Sequence, residues 1–380
     1  MDTRLIALVN FKSPFVLEEG LNCAVVVKGK KIENVIHHTD IPKEADIVDL
    51  GGCWLSPGFI DLLPNGAGGG AFGVTAQYDD LLRMGQTMME EGTTGFLVSA
   101  PSNSYDKYVE MFETLWQNRN RLPANYLGMH LEGPFFHPEF KGAHDPASVR
   151  RCEDNELRDM LEHAHGQIKM MTLAPEMLTD HQIELLEESG VRLSFGHSGA
   201  DYDQALHFLQ KPHRSVTHLY NAMTPIHHRK PGHIPAIFHV KPMTGIIADG
   251  VHVAYPMVTM AYEVLGLQLY LITDRFTECD LEHCSYRRRG NYYVRIVDDG
   301  VPVMAGSALT MMKAVQNCVE HVGIPMGEAL YMATANPAKW LGVEHQYGQI
   351  KKDYTANLVV FDDNWQVKRV MFEGAFLSGY

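Results

Sequence analysis

Three residues that can bind a metal ion each follow a short apolar segment. Glu132, His197 and His218 come directly after Met-His-Leu, Leu-Ser-Phe-Gly and Val-Thr. One carboxylate and two imidazoles are the protein ligands of an open catalytic metal site, which keeps a further position for water. Water bound in this way is a nucleophile near neutral pH. The pattern therefore predicts a metal-dependent hydrolase.

Eight apolar runs rich in β-branched residues predict the strands that would position these ligands. The runs cover residues 58–63, 94–100, 126–131, 168–173, 191–195, 215–219, 244–248 and 269–273. Amphipathic stretches between them, such as 79–91 and 180–189, predict helices. This alternation predicts an α/β fold with a (β/α)8 TIM-like barrel, and an open doubly wound sheet is the alternative. The barrel is favoured because the carboxyl ends of its strands meet at one mouth, whereas an open sheet spreads them along an edge.

Both ends of the chain show short strand-like segments joined by polar turns. Alternating segments occur at 23–32 and 45–52, and the same pattern returns at 358–361 and 366–374. Two β segments that bracket a barrel most simply pair with each other. We therefore predict a small β-sandwich domain from residues 1–55 plus 343–380 and a barrel from residues 56–342.

The composition argues against several classes of partner. The 380 residues carry a formal net charge of -14 and the sequence pI is about 5.8, whereas binding to nucleic acid or to an anionic membrane needs a basic surface. The first residues lack a secretory signal, and no apolar run approaches the length of a membrane span. The six cysteines lack the spacing of a disulfide framework. We expect a cytoplasmic protein with no nucleic-acid or membrane partner.

Two further polar residues lie at the ends of predicted strands and could act beside the metal. Asp274 ends the eighth run, and a carboxylate there can accept a proton from water and return it to a leaving group. His252 follows the seventh run and could hydrogen-bond the carbonyl under attack or a substrate hydroxyl. A single polar residue at a strand end is more often a cap or a turn residue. Five such residues at five strand ends of one barrel favour a site.

An anion-binding segment follows the sixth run. The backbone of Asn221-Ala-Met223 could offer N–H groups, and Arg229 supplies a guanidinium suited to bidentate phosphate contact. An Arg-Lys pair in a loop is equally typical of a solvated surface. On spacing alone, both interpretations stay open.

Several short strings along the chain are specific enough to compare with known families. The most specific are His130-Leu-Glu-Gly-Pro134 and Thr217-His-Leu-Tyr-Asn-Ala-Met223. Supporting strings are Pro57-Gly-Phe-Ile-Asp61, Lys141-Gly-Ala-His144, Thr172-Leu-Ala-Pro-Glu176, Gly196-His-Ser198, Gly245-Ile-Ile-Ala-Asp-Gly-Val-His252, Thr273-Asp274 and Gly306-Ser-Ala-Leu-Thr310. With these strings in order, nearly the whole chain resembles the N-acetylglucosamine-6-phosphate deacetylases of the amidohydrolase superfamily.

The resemblance implies a barrel with a small β domain and one divalent metal ion on Glu132, His197 and His218, with Asp274 as acid and base. Zinc is the first choice for the ion, and iron, cobalt, nickel and manganese are alternatives. A homodimer is also implied, because family members are commonly dimers. The residues expected to bind the phosphosugar substrate are Asn65, Ala143, His144, Asn221, Ala222, Arg229, Asp249, His252, Met304, Ala305 and Gly306.

The implied reaction is hydrolysis of the acetamide of N-acetylglucosamine 6-phosphate to glucosamine 6-phosphate and acetate in amino-sugar catabolism. N-acetylgalactosamine 6-phosphate or another N-acyl sugar phosphate is an alternative substrate. A different amidohydrolase, such as a cyclic amidase or an N-acyl-amino-acid hydrolase, is a second alternative. A non-catalytic barrel that serves as a scaffold or sensor is the third.

The chain departs from the family pattern beside the predicted site. Enzymes with two metals carry His-x-His at the end of the first strand, where this chain has Leu63-Pro-Asn65, so we expect one ion. Family members often have Gln where Leu63 stands. Arg275 follows Asp274 where small residues are usual, and a basic run follows at 287–289. A cation beside Asp274 could lower its pKa, reshape the sugar pocket or add an anion contact.

Overall fold

A computed structural model describes residues 4–16, 22–298 and 300–378. Its main sheet has eight strands that follow one another around the sheet in chain order, and neighbouring strands are parallel. Each overlaps one of the eight predicted runs. We number them barrel strands 1 to 8: Phe59–Asp61, Thr93–Pro101, Tyr126–Glu132, Ile168–Leu173, Arg192–Phe195, Arg214–Val216, Met243–Ile246 and Leu269–Leu271.

Asp61 holds barrel strands 1 and 8 side by side. Its Oδ2 accepts a hydrogen bond from Thr273 Oγ1 at 2.5 Å, and its Oδ1 accepts one from the Thr273 N–H at 3.3 Å. Thr273 lies just beyond barrel strand 8. The carboxyl is fully buried, and burial raises its pKa. The sheet is therefore a nearly closed barrel, which confirms the (β/α)8 prediction, and the open sheet was the wrong alternative.

Helices alternate with the barrel strands and follow the last of them. Two begin at a capping box, in which the N-cap side chain and the third helical residue bond each other's backbone: Thr179 with Gln182, and Asp201 with Gln204. The α-helices of the described residues are Phe72–Thr75, Tyr78–Glu90, Tyr105–Gln117, Asp154–His163, Asp180–Glu188, Tyr202–Leu209, Ile234–Val240, Tyr255–Leu265, Met311–Asn317, Met326–Ala333 and Ala335–Leu341.

Two four-stranded sheets form the small β domain. One contains Leu5–Val9, Cys23–Lys28, Lys31–His37 and Asp46–Asp49; the other contains Trp54–Pro57, Leu358–Phe361, Val367–Phe372 and Ala375–Phe376. Side chains from both sheets, such as Leu8, Val25 and Met371, share one apolar core. Trp54–Pro57 pairs antiparallel with Leu358–Phe361, so residues from the two ends of the chain share a sheet. This confirms the predicted β domain built from both ends.

The described residues group into two compact units. The first contains Met1–Ile60, Met88–Gly95 and Met311–Tyr380, and the second contains Asp61–Thr87 and Phe96–Thr310. The predicted boundaries after residues 55 and 342 stay predictions. Within the described part of the chain, no helix is both long and apolar enough to cross a membrane.

A fourth sheet, which the sequence analysis missed, follows barrel strand 8. Its antiparallel strands are Cys279–Asp280, Cys284–Arg289, Tyr292–Val297 and Val303–Ser307. We call this element the 279–307 sheet. Gly290-Asn291 joins its two middle strands, and a Gly-Asn pair between alternating segments is a recognised hairpin signal. The basic run 287–289 therefore lies on a hairpin, and two of its residues, Arg288 and Arg289, are exposed.

Candidate metal-dependent active site

Most of the predicted site residues line one cavity of about 500 Å³. Arg229 and Asp249 are not on its wall: Arg229 is exposed in a loop, and Asp249 is buried and bonded to His252. Arg275 is also absent from the wall. The predicted residues that line the cavity are Asn65, Glu132, Ala143, His144, His197, His218, Asn221, Ala222, His252, Asp274, Met304, Ala305 and Gly306.

The three predicted metal ligands point their donor atoms at one another. Glu132 Oε1 lies 3.0 Å from His218 Nε2 and 3.4 Å from His197 Nε2, and the two nitrogens are 3.0 Å apart. A tetrahedral ion with bonds of about 2.0 to 2.1 Å separates its ligand atoms by roughly 3.3 Å. All three residues are buried. The cluster therefore matches the size of a divalent metal site.

Hydrogen bonds from the surrounding chain prepare these side chains for a cation. His197 Nδ1 lies 2.8 Å from the Phe140 carbonyl oxygen and donates to it, so Nε2 presents its lone pair to Glu132. Burial lowers the pKa of His197, which keeps the ring neutral. Burial alone would raise the pKa of Glu132, but the neighbouring imidazoles of His197 and His218 hold it well below its ordinary value. The Glu132 carboxylate outweighs burial and raises the pKa of His218, so this imidazole would release its proton on binding an ion.

A third imidazole, that of His144, lies beside the cluster. The nitrogen that faces Glu132 carries a proton and so has no lone pair for a metal ion. His144 Nδ1 accepts the Ser102 N–H at 3.0 Å, so in the neutral ring Nε2 carries the proton. Nε2 lies 3.7 Å from Glu132 Oε2. Burial lowers the pKa of His144 to about 3, which keeps the ring neutral. His144 is therefore a hydrogen-bond donor at the edge of the site, in keeping with its predicted contact to substrate.

Asp274 lies on the same cavity wall, where Asn65 orients it. Asn65 Nδ2 donates to Asp274 Oδ1 at 2.7 Å. Burial raises the pKa of Asp274 to about 7, and the negative charge of Glu132 acts in the same direction. The lowering that Arg275 could have caused is not observed. A carboxyl that titrates near neutral pH suits a group that must both accept and donate a proton.

His252 is held by the carboxylate that precedes it. Asp249 Oδ2 lies 2.6 Å from His252 Nδ1, and Asp249 Oδ1 accepts the N–H groups of Val251 and His252. Nδ1 therefore donates to Asp249, and Nε2 is the ring atom left for a substrate. Asp249 acts through His252 in this arrangement.

Comparison with known proteins places the chain in a family. The model of the amidohydrolase family matches residues 54–377. The chain belongs to the amidohydrolase family. Its relatives include a Haemophilus influenzae protein named N-acetylglucosamine-6-phosphate deacetylase, 34% identical over 92% of this chain and 93% of that protein. An N-acetylgalactosamine-6-phosphate deacetylase of Escherichia coli O157:H7 is 30% identical over 85% of this chain and 88% of that protein.

Solved structures of N-acetylglucosamine-6-phosphate deacetylases also resemble this amidohydrolase over nearly its whole length. The N-acetylglucosamine-6-phosphate deacetylase of Pasteurella multocida superposes with a TM-score of 0.91 at 30% identity, covering 99% of this chain and 100% of that one. A mutant of the Mycobacterium smegmatis enzyme in complex with N-acetyl-D-glucosamine-6-phosphate gives 0.87 at 27% identity, with 98% of each chain covered. The resemblance noted in the sequence is confirmed.

Three of the candidate site residues have left-handed backbone conformations. His197, His218 and Asp274 have φ values of 51°, 31° and 45°, and each lies just beyond a barrel strand. Such conformations cost a residue other than glycine about 1 to 3 kcal/mol and persist where the surrounding structure enforces them. The turn redirects each side chain toward the cavity as the strand ends.

The sequence analysis assigned no role to Glu176 and His130, two residues close to candidate ligands or their neighbours. Glu176 accepts the Ser198 hydroxyl at 2.7 Å and the Gly199 N–H at 2.6 Å, which fixes the turn that follows His197. His130 is buried in the barrel, with Nδ1 on the Leu62 carbonyl and Nε2 on Thr172 Oγ1, each at 2.7 Å. Both ring nitrogens are used, so His130 is a structural histidine. Its place two residues before Glu132 is compatible with an inward-facing strand position.

The raised pKa of Asp274 predicts a titration that can be measured. In the metal-free protein, the carboxyl should hold its proton below its pKa of about 7 and lose it above. A bound cation lowers that value. Since only the ionised form accepts a proton, kcat/KM of the metal-loaded enzyme should fall as the pH drops through the Asp274 pKa. Infrared difference spectra of metal-free wild type against Asp274→Asn should show the transition. A transition at about pH 4, the ordinary pKa of an aspartate, would contradict this expectation.

The hydrogen bond from Asn65 predicts a shift of the same titration. Asn65→Ala removes a hydrogen-bond donor from the Asp274 carboxylate. The ionised form is then less stable relative to the protonated form, so the pKa of Asp274 should rise by about one unit. The acidic limb of the kcat profile should move upward, and kcat near neutral pH should fall about tenfold. Asn34→Ala, at an exposed strand position, is the matched control and should leave the profile unchanged. An unshifted limb in Asn65→Ala would show that this hydrogen bond has no part in proton transfer.

Proposed function

We propose that this amidohydrolase hydrolyses the acetamide of N-acetylglucosamine 6-phosphate to glucosamine 6-phosphate and acetate. The observation that carries the proposal is the placement of Asp274 in the same cavity as the Glu132, His197 and His218 cluster. Relatives and structural neighbours with this activity in their names match nearly the whole chain. Amino-sugar breakdown is the corresponding role.

The residues divide the reaction between them. Glu132, His197 and His218 would hold one divalent ion, which when bound polarises the acetamide carbonyl and lowers the pKa of water. Asp274 accepts the proton of the attacking water and then gives it to the departing amine. His252 has two possible roles. Its Nε2 either accepts a hydrogen bond from a sugar hydroxyl or, when it carries a proton, donates one to the developing oxyanion. His144 donates from Nε2 to the bound sugar and fixes its orientation.

Further assignments belong to the same proposal. Zinc is the preferred ion because its four-coordinate sites accept two imidazoles and a carboxylate and leave one position open, although iron, cobalt, nickel or manganese would also bind such donors. We propose that the enzyme works in the cytoplasm as a homodimer on a phosphosugar. We also propose that residues 1–55 plus 343–380 form the β domain and residues 56–342 the catalytic barrel.

One set of assays tests the proposed function. Metal per chain is measured first, and then acetate release from N-acetylglucosamine 6-phosphate, its galacto epimer and unphosphorylated N-acetylglucosamine. We expect one ion per chain, and the highest kcat/KM on the first sugar. Metal-loaded protein that releases acetate from none of the three sugars would refute the deacetylase assignment and favour a non-catalytic barrel.

A second candidate substrate is N-acetylgalactosamine 6-phosphate. The 30% identity to the Escherichia coli enzyme named for that sugar supports this alternative. Both epimers have the same acetamide and phosphate, so the metal site and Asp274 would serve either of them. A higher kcat/KM on the galacto epimer in the same assays would decide in its favour.

A further inference from the structure

Barrel strand 4 lies between two strands that lead to predicted metal ligands but contributes none of the three itself. Barrel strands 3 and 5 lead to Glu132 and His197, and barrel strand 6 leads to His218. Of the described residues of barrel strand 4, Ile168–Leu173, none is on the cavity wall. Thr172 lies near the carboxyl end of this strand and is fully buried. Because a buried hydroxyl costs free energy unless it is hydrogen-bonded, the contacts of Thr172 indicate its role.

Thr172 contacts the residue next to each of the three ligands. Its carbonyl oxygen accepts the N–H of Gly133, which directly follows the carboxylate ligand, at 3.1 Å. Its Oγ1 lies 2.7 Å from Oγ1 of Thr217, which directly precedes one imidazole ligand. Its methyl group packs against Gly196, which directly precedes the other: a Cβ added at Gly196 would lie only 2.7 Å from Thr172 Cγ2. One residue therefore holds the chain beside all three ligands.

A chain of hydrogen bonds orients the Thr172 hydroxyl. His130 Nδ1 lies 2.7 Å from the Leu62 carbonyl oxygen and donates to it. The His130 ring is fully buried, which favours its neutral form, so Nε2 accepts from Thr172 Oγ1 at 2.7 Å. Since the single proton of Thr172 is used there, its hydroxyl accepts from Thr217, and the Thr217 hydroxyl accepts from Ser194 at 2.6 Å. Each proton thus has one direction, and these side chains hold one another in a single arrangement.

We propose that Thr172 is a positioning residue for the metal site, which sets the spacing of the three strands that carry the ligands. The proposal rests on the proposed function, since it takes the cluster of Glu132, His197 and His218 as a metal site. Such a site tolerates donor distances within about 0.2 Å of their usual values, so a small displacement of one strand is enough to weaken binding. Thr172 acts through the residues beside the ligands.

Cobalt binding to threonine variants tests the proposal. Thr172→Val keeps a similar shape but removes the hydroxyl, which leaves His130 Nε2 without its donor and the Thr217 hydroxyl without its acceptor. Cobalt affinity should fall about 10- to 100-fold, the range typical of residues that orient metal ligands. The visible absorption bands of bound cobalt should also shift, because they report coordination geometry. Thr172→Ser keeps the hydroxyl and should bind cobalt nearly as wild type does.

Thr244→Val is the matched control. Thr244 is fully buried on barrel strand 7, and its hydroxyl donates to the Pro242 carbonyl oxygen of the same segment at 2.9 Å. Loss of this buried hydrogen bond should lower the melting temperature of the metal-free protein, as Thr172→Val also should. Cobalt affinity and the absorption spectrum of Thr244→Val should nevertheless match those of wild type.

One result would overturn the proposal directly. If Thr172→Val melts at a lower temperature but binds cobalt with the affinity and spectrum of wild type, Thr172 only stabilises the interior of the barrel. If Thr172→Val does not fold, Thr217→Val decides the question, because it removes the same hydrogen bond from its other end. Thr217→Val should lose affinity to a similar extent, and unchanged binding there would overturn the proposal equally.

The cobalt titrations separate this proposal from the proposed function because they do not depend on acetate release. If wild type binds cobalt but releases acetate from none of the sugars, the proposed function fails, and the titrations still decide the role of Thr172. Wild type that binds no cobalt would overturn the positioning role, since the three side chains would then not form a metal site.

Discussion

Asp274→Asn is expected to lower kcat about 10²- to 10⁴-fold, the usual contribution of a positioned general acid and base. An amide cannot accept the proton of water or deliver one to the amine. Asparagine has nearly the same shape as aspartate, so the cavity and the Glu132, His197 and His218 cluster should persist. Metal content and substrate affinity should therefore stay close to those of wild type.

Steady-state kinetics and metal analysis of the same preparation check this prediction. Asp203→Asn, on an exposed helix position, is the matched control and should keep full activity. If Asp274→Asn retained more than about a tenth of wild-type kcat, proton transfer would have to be assigned to another group, and His252 would be the first candidate. Loss of metal together with activity would instead make Asp274 a ligand.

His197→Ala is expected to abolish stable metal binding. The substitution removes one of three donors and leaves the buried carboxylate of Glu132 with a single predicted imidazole ligand, His218. Loss of a group that merely orients a ligand typically weakens metal affinity about 10- to 100-fold, so loss of a ligand should exceed about 100-fold. Metal per chain after dialysis should fall close to zero, and acetate release should disappear with it.

The same variant also predicts a change in stability. An ion that binds only the folded protein stabilises it by about 4 kcal/mol at a free concentration 1,000 times its dissociation constant. Wild type should therefore lose thermal stability on treatment with a chelator, whereas His197→Ala should respond little. His163→Ala, which changes a partly exposed histidine of the helix Asp154–His163 that does not line the cavity, is the control and should keep its metal. Full metal occupancy in His197→Ala would move the site toward His144.

The fold could be predicted from the sequence because each barrel strand is a short apolar run that local hydrophobic periodicity reveals. All eight barrel strands overlap apolar runs, and the paired ends of the chain showed strand-like alternation before any contact was known. The 279–307 sheet was missed because its strands carry many polar and basic residues. Only the Gly290-Asn291 turn marked it.

The candidate site was predicted unevenly for a related reason. Residues at the ends of barrel strands, such as Glu132, His197 and Asp274, could be grouped because a barrel brings strand ends together. Arg229 lies in a loop and Arg295 on a strand of the 279–307 sheet, both outside the barrel strands, and the barrel pattern in the sequence does not predict where such segments lie. The structure leaves Arg229 exposed and brings Arg295 to the cavity.

The sequence by itself determined the donor types, their order along the chain and the barrel that unites them, because these follow from residue chemistry and hydrophobic periodicity. Only the tertiary structure decided which nitrogen each imidazole presents, since the Phe140 carbonyl orients His197 and the Ser102 N–H orients His144. It also decided that desolvation raises the pKa of Asp274 to about 7. Hydrogen bonds and desolvation depend on contacts between residues far apart in the chain, and no local pattern encodes them.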